Sequence, residues 1–324
     1  MQRSGPPFQT PLTGFTTIMP DTRSYTVVGL GELLWDVFPK GKELGGAPAN
    51  FAYMTSLLGD LGVVASRVGS DALGRTAGRR LQRIGLHGQY LQIDAMHPTG
   101  TVQVQVDPAG QPTFEIAESV AWDFFEWTPE WEKLASTADA VCFGSLAQRS
   151  SQSRATIRAF LKEVRHGTTR VFDVNLRQSF YSADTLSESM KLTDIVKLNQ
   201  EELPIVVKLL GHAFQDDERA ARWLRDTYSL QLVCVTRGAK GSLLVNGSEI
   251  SQHPGCRVVV ADTVGSGDAF TAALVYHYLR RASLATLNEA ANRMGAWVAS
   301  QTGATPPRDD YYLQQIRTAV SGEE

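Results

Sequence analysis

Short apolar runs alternate with amphipathic stretches along most of the chain. "YTVVGLGE" (25–32) is a β-branched run ending in glycine and acid. "APANFAYMTSLLGDLG" (47–62) predicts a helix with proline in its first turn and glycines near its end. "VVASRVG" (63–69) predicts a strand, and "DALGRTAGRRLQRIG" (71–85) a helix that Asp71 is placed to cap. The rhythm resumes with a strand at 138–144 and a helix at 151–167. Strands follow at 169–175 and 194–199, helices at 200–211 and 216–228, and a strand at 230–238. Such alternation predicts parallel βαβ units with helices on both faces of the sheet.

One region breaks the rhythm. "TGTVQVQVDPAGQPTFEIAE" (99–118) alternates apolar and polar with period two around a "DPAG" turn. That pattern predicts a half-exposed antiparallel hairpin. Inserted in an α/β body, it reads as a lid, a dimer surface or a decorative edge. The segment 40–46 would join it, with Gly45 and Gly46 as a hinge.

Composition narrows the classes. The 324 residues are 43% hydrophobic and 20% charged, ordinary for a globular protein. A net charge of −3 leaves no electrostatic footprint for nucleic acid. No apolar run approaches the ~18 residues of a membrane span. Residues 1–24, rich in Pro, Thr and Gly, lack the apolar core of a secretory signal and read as a loose tail before one domain, 25–324. Cys142, Cys234 and Cys256 are odd in number and widely spaced, against a disulfide framework or a zinc site. A reducing cytoplasm is expected.

Two glycine-rich stretches are candidates for chemistry. "VGLGELLWD" (28–36) fails the dinucleotide pattern, because Leu34 occupies the third glycine position. No P-loop and no protein-kinase motif set occurs. "DTVGSGDAFTAALVYHYLRR" (262–281) differs: Gly265 and Gly267 precede a helix on which Phe270, Ala273, Leu274 and Tyr278 recur at helical spacing. Backbone N–H groups at a helix start form an anion site, aided by the helix dipole. Asp268 at that start is either a helix cap or a base beside a phosphate cradle.

At this point the residues resemble the ribokinase/PfkB family of carbohydrate kinases. "DTVGSGDAFTAAL" is similar to that family's C-terminal signature, with Ser266 where alanine is usual. The resemblance implies an α/β, ribokinase-like fold: a central, mostly parallel sheet flanked by helices, with a small β-sheet lid. It implies Asp268 as base and an anion hole of Gly265, Ser266, Gly267 and Asp268. "GGAPANFA" (45–52) implies Gly46 and Asn50 at the sugar, and "GELLWDVFP" (31–39), which looks like the first strand, implies Asp36 there too. "DVNLR" (173–177) implies Arg177 near sugar or phosphates. "NQEE" (199–202) implies Asn199 toward phosphate and Glu202 toward Mg²⁺ through water. "TRGAKG" (236–241) implies Thr236, Gly238 and Gly241 near the phosphates, and the 291–306 stretch implies Asn292 near the base of ATP. Some relatives bind K⁺, for which Asp262 and the backbone of Val264 would serve. A homodimer through the lid is also implied.

Each residue has a plainer reading. Glu202 is equally a solvated first-turn acid, Arg177 a surface cation, Asp36 a strand-end turn residue and Asn50 a helix-face amide. Asp173 and Asn175 suit strand-end Asx turns, and Thr236 a strand.

Within the family the lid segment and "VAWD" (120–123) are most similar to fructokinases. "FGSLAQR" (143–149) lacks the glutamate that ribokinases place at the end of this strand. The implied reaction is transfer of the ATP γ-phosphoryl to the 6-hydroxyl of D-fructose. The alternatives are 2-keto-3-deoxygluconate, whose carboxylate would want Arg177 or Arg149, ribose or a nucleoside. A non-catalytic sugar- or nucleotide-binding regulator is the reading of another class.

Overall fold

The computed structural model describes residues 23–39, 41–106 and 112–319. Most of the expected tail (1–22) and the expected "DPAG" turn (107–110) lie outside the described residues. β1 (Thr26–Leu30) is followed by the antiparallel pair β2 (Leu34–Phe38) and β3 (Gly41–Gly45), then α1 (Ala47–Leu57). β4 (Leu61–Gly69), α2 (Ala72–Arg83) and β5 (Leu91–Asp94) come next. β6 (Gly100–Val106) and β7 (Pro112–Ile116) pair antiparallel, as their alternation predicts. Alternation then returns: α3 (Pro129–Thr137), β8 (Ala140–Phe143), α4 (Ser151–Glu163), β9 (Thr169–Asp173), α5 (Ala183–Lys191) and β10 (Ile195–Asn199). α6 (Glu202–Leu209) and α7 (Asp217–Tyr228) lead to β11 (Leu232–Thr236), β12 (Ser242–Val245) and β13 (Ile250–His253). α8 (Ser266–Leu279), α9 (Leu284–Ala299) and α10 (Asp310–Arg317) complete the described chain.

The main sheet has nine strands in the order β13-β12-β11-β10-β9-β8-β1-β4-β5. All pairings are parallel except those of β12 with its two neighbours. β12 and β13 are absent from the sequence reading, although Asn246-Gly247 between two apolar segments is a hairpin signal. A second sheet of four strands runs β3-β2-β6-β7. Residues 31–39 therefore do not continue the first strand. The chain leaves β1 at Gly31, and 34–38 pair with β3 and β6 instead. The 41–45 segment joins the hairpin only through β2, which lies between them.

Two apolar clusters cover the faces of the main sheet. One joins α1, α8 and α9 to the sheet, the other α4, α6 and α7. Glycines set the closest approach: a Cβ at Gly29 would lie 2.1 Å from the Pro48 carbonyl oxygen. The Gly-x-Gly of β1 thus admits the first turn of α1 and makes no dinucleotide loop. Asp71 caps α2, accepting from Gly74 N–H at 2.8 Å. Cys142 and Cys234 are buried free thiols, as their apolar surroundings predict. No described helix is long and apolar enough to cross a membrane.

β1 lies between β4, which follows it, and β8, which comes much later. Strand order reverses here, and open α/β sheets bind ligands beyond the carboxyl ends of strands at such a point. The residues after β1, β9 and β10 are therefore the place to look. A cleft of about 1340 Å³ opens at the opposite end of the sheet; of its acids, Asp139 and Asp194 are already paired with Arg165 and Arg170.

Candidate active site

The site begins at α8. Gly265 has φ 79°, a left-handed conformation that turns the chain into the helix without a side-chain cap. A Cβ there would also lie 2.7 Å from Ala304 Cβ. Gly267 has a different reason. It lies inside the helix, where glycine costs about 1 kcal/mol relative to alanine, and its Cβ position is 3.1 Å from Lys197 Nζ. Ser266 turns inward on the loop: its N–H and its hydroxyl both donate to the Thr263 carbonyl, at 3.2 and 2.8 Å. Among the described residues the N–H groups of Gly265, Gly267 and Asp268 have no protein acceptor. These three are the open N–H groups of the candidate cradle, while the Ser266 N–H is turned to Thr263.

Asp268, in the first turn of α8, receives a hydrogen bond from Asn50 Nδ2 at 2.9 Å. Asn50 is buried on α1. Burial, and then the charge of Asp173, push the Asp268 carboxyl up to about 6; the Asn50 hydrogen bond, Lys197 and Arg177 oppose them. A carboxylate so poised is a better proton acceptor at neutral pH than an exposed cap.

Beneath Asp268 lies a pair that sequence reasoning missed. Lys197 on β10 and Asp173 on β9 stand side by side in register. The ammonium donates to both Asp173 oxygens, at 3.0 and 3.1 Å. The Thr271 hydroxyl of α8 lies 3.1 Å from Asp173 Oδ2 and 3.0 Å from the Gly267 carbonyl. Asp173 is therefore no Asx-turn residue. Burial pulls the Lys197 pKa down, but the charges of Asp173, Glu202 and Asp268 outweigh it and the net shift is upward. A lysine inside the apolar strand "DIVKLN" was the available signal.

Glu32 was also missed. It follows β1, is 3% exposed, and its Oε2 has no hydrogen-bond partner. Burial pushes it up to about 7; its own N–H, Arg177 and the Ala47 N–H pull the other way, and Asp268 adds to the rise. Gly46, φ 113°, brings α1 so close that a Cβ would lie 2.4 Å from the Glu32 carbonyl oxygen. Asp36 on β2 is partly buried, which raises its pKa, with Arg177 opposing. Gly45 leaves room for it: a Cβ there would lie 2.4 Å from Asp36 Oδ2. Arg177 is exposed, and its charge acts on Glu32, Asp36 and Asp268 together.

The remaining expected residues divide. Asn199 and Thr236 are register partners at the carboxyl ends of β10 and β11. Asn199 Oδ1 accepts from the N–H groups of Glu201 and Glu202. Glu202 is no solvated first-turn acid. It is 6% exposed, and its oxygens accept from Leu176 and Asn199 N–H, both at 2.8 Å. Burial raises its pKa, with Lys197 opposing. Gly238 has φ 58°, while Gly241 is a packing position: a Cβ would lie 1.9 Å from the His253 carbonyl oxygen. Asp262 accepts from Val264 N–H at 3.0 Å and Gly303 N–H at 3.1 Å, which ties the loop to the end of α9; Val264 is exposed.

Two further residues are held by their neighbours. Asn292 Nδ2 donates to Ser242 Oγ at 2.7 Å and to Asn288 oxygens at 2.8 and 3.0 Å. Buried amide donors must be satisfied, so these bonds use the amide nitrogen to pin α9 to β12. Arg149 is paired with Asp123 at 2.8 Å and stacked over Trp122, while its buried Nη1 has no hydrogen-bond partner.

The fold is of the ribokinase-like α/β class. At its switch point a raised carboxylate meets the open start of a helix, the equipment of a phosphotransferase. The chain belongs to the pfkB family of carbohydrate kinases, whose model matches residues 18–310. A sugar kinase of Pyrococcus horikoshii is 30% identical over 89% of this chain and 94% of its own. A fructokinase of Klebsiella pneumoniae is 30% identical over 76% of this chain and 82% of its own. A fructokinase double mutant of Vibrio cholerae, solved with fructose, ADP and potassium ion, superposes with a TM-score of 0.75. It is 28% identical and covers 90% of this chain and 98% of that one.

Proposed function

We propose that this carbohydrate kinase transfers the γ-phosphoryl of ATP to the 6-hydroxyl of D-fructose, with Asp268 as general base. The observation that carries this reading is the Asp268 carboxylate, placed by Asn50 beside the unpaired N–H groups of Gly265 and Gly267. Fructose is favoured over other sugars because fructokinases recur among the relatives.

In this reading Asp36, Asn50 and the Gly46 turn hold the sugar between the small sheet and α1. The hydroxyl oxygen bonds to the γ-phosphorus as the bond to the ADP oxygen breaks, and Asp268 takes the hydroxyl proton. Gly265, Gly267 and Asp268 N–H groups and Arg177 meet the charge on the moving phosphoryl. In the same reading Asn199, Thr236 and Gly238 face the polyphosphate. No cluster of three or more metal-ligating side chains occurs among the described residues. With both its oxygens engaged, Glu202 suits Mg²⁺ only through water; the ion's chemistry would be charge neutralisation between phosphates. K⁺ would draw on the Asp262–Val264 loop. The small sheet of β2, β3, β6 and β7 would act as a lid that excludes water. Its exposed Phe38 and Phe114 would suit a second copy. Free cysteines fit a reducing cytoplasm.

The test is an ADP-release assay with Mg-ATP over fructose, ribose, 2-keto-3-deoxygluconate and adenosine. Fructose is expected to give the highest kcat/KM. A higher value on another acceptor would replace fructose, and no turnover on any would favour a binding regulator.

A further inference from the structure

We propose that Lys197, anchored by Asp173 beneath Gly267, is a positioning residue whose charge stabilises the phosphoryl group as it passes the start of α8. The inference rests on the sugar-kinase reading of Asp268.

Three observations carry it. First, Lys197 is 7% exposed, and its ammonium lies under the first turn of α8, the positive end of the helix dipole. A cation there faces a like-signed helix end, an arrangement that an arriving anion relieves. Second, Gly267 has no conformational need to be glycine, since it is helical. What a side chain would meet is Nζ, so the sequence keeps this one position open to the lysine. Third, Asp173 is itself tied to α8 through Thr271. Pair and cradle therefore move as one body, and the charge stays in place while substrates exchange. Buried ion pairs seldom stabilise a fold more than apolar groups of similar size, so stability alone does not explain this pair.

The experiment compares wild type with Lys197→Met and with Lys197→Met/Asp173→Asn, which removes both charges should the single variant not fold. The expected result is a fall in kcat of about 10²-fold, the scale of losing one oxyanion-hole donor, with KM for fructose and ATP changed less than about threefold. A second readout needs no turnover. ADP with Mg²⁺ and fluoroaluminate mimics the transferring group and is expected to raise the wild-type melting temperature beyond ADP and Mg²⁺ alone; the variants lose that increment. Asp173→Asn keeps the lysine charge and moves the acid limb of kcat/KM to lower pH. Asp173 is the charge that raises Asp268, while Lys197, Arg177 and the Asn50 hydrogen bond lower it. Glu32 also couples to Asp268 and titrates higher, near 7. A folded double variant that keeps both kcat and the fluoroaluminate increment would overturn the proposal and make the pair structural. Wild type that turns over no sugar yet shows a Lys197-dependent increment would refute the sugar reading and uphold the role of Lys197.

Discussion

Asn50 and Asp268, 218 residues apart in the chain, are joined by a 2.9 Å hydrogen bond from Nδ2 to Oδ2. The bond closes α1 onto α8 and puts an amide beside the candidate base. It also explains why neither residue is legible as functional alone. Each has an ordinary helix-face reading until the other stands next to it.

Replacing Asp268 by Asn keeps the shape and removes the proton acceptor. Turnover is expected to fall at least 10²–10⁴-fold, about the worth of a general base, while fructose and ADP bind nearly as in wild type by calorimetry. Near wild-type turnover in D268N would sink the base assignment.

Activity is expected to follow ionisation of Asp268. Its folded pKa is near 6, so kcat/KM holds above that value and is lost as pH falls through it. Asn50→Ala removes a hydrogen bond that lowers this pKa, so the limb moves alkaline and overlaps the titration of Glu32. The same variant, and Asp36→Ala, are expected to weaken fructose far more than ATP. Equal losses for both ligands refute a sugar-pocket role.

Glu32 sets a stability prediction. Its pKa rises from 4.5 to about 7 on folding, so the folded chain holds a proton that the unfolded chain releases between those values. Stability therefore falls as pH rises through the window, and the penalty is complete above 7. At about 1.4 kcal/mol per pH unit it is about 3 kcal/mol. Glu32→Gln cannot ionise. Its melting temperature is expected to exceed wild type at pH 8 and match it at pH 4; equal melting at both pH values contradicts the assigned burial.

The two glycines of the cradle are expected to respond differently to alanine. Gly265→Ala forces a left-handed alanine against Ala304, and a loss of about 1–3 kcal/mol is expected in denaturant unfolding. Gly267→Ala avoids that strain because the residue is helical, so it is expected to cost less stability than Gly265→Ala, while kcat drops because the methyl presses on Lys197. Equal destabilisation of the two variants contradicts the separate reasons given for them.

Much of this protein is determined locally. Periodicity of two against 3.6 distinguishes hairpin β6–β7 from the βαβ body, and glycine chemistry marks the turn at Gly265, because both depend on residues a few positions apart. Motif order along the chain pointed to Asp268, Asn50 and Arg177. Other features exist only across strands and helices. Residues 34–38 belong to the small sheet because β3 and β6 flank them, a choice no local pattern encodes. Gly241 packs so tightly that a Cβ would meet the His253 carbonyl oxygen, and Asn292 Nδ2 is engaged by Ser242 and Asn288, neither of which a local pattern reveals. Lys197 and Glu32 passed unnoticed because their chemistry arises from burial beside Asp173 and Asp268, and desolvation and charge proximity are properties of three-dimensional distance. Local chemistry therefore marks the glycine turn and the helix start that are candidates for a phosphate cradle. Which charges surround that turn follows from the packing of β9, β10 and α1 against α8.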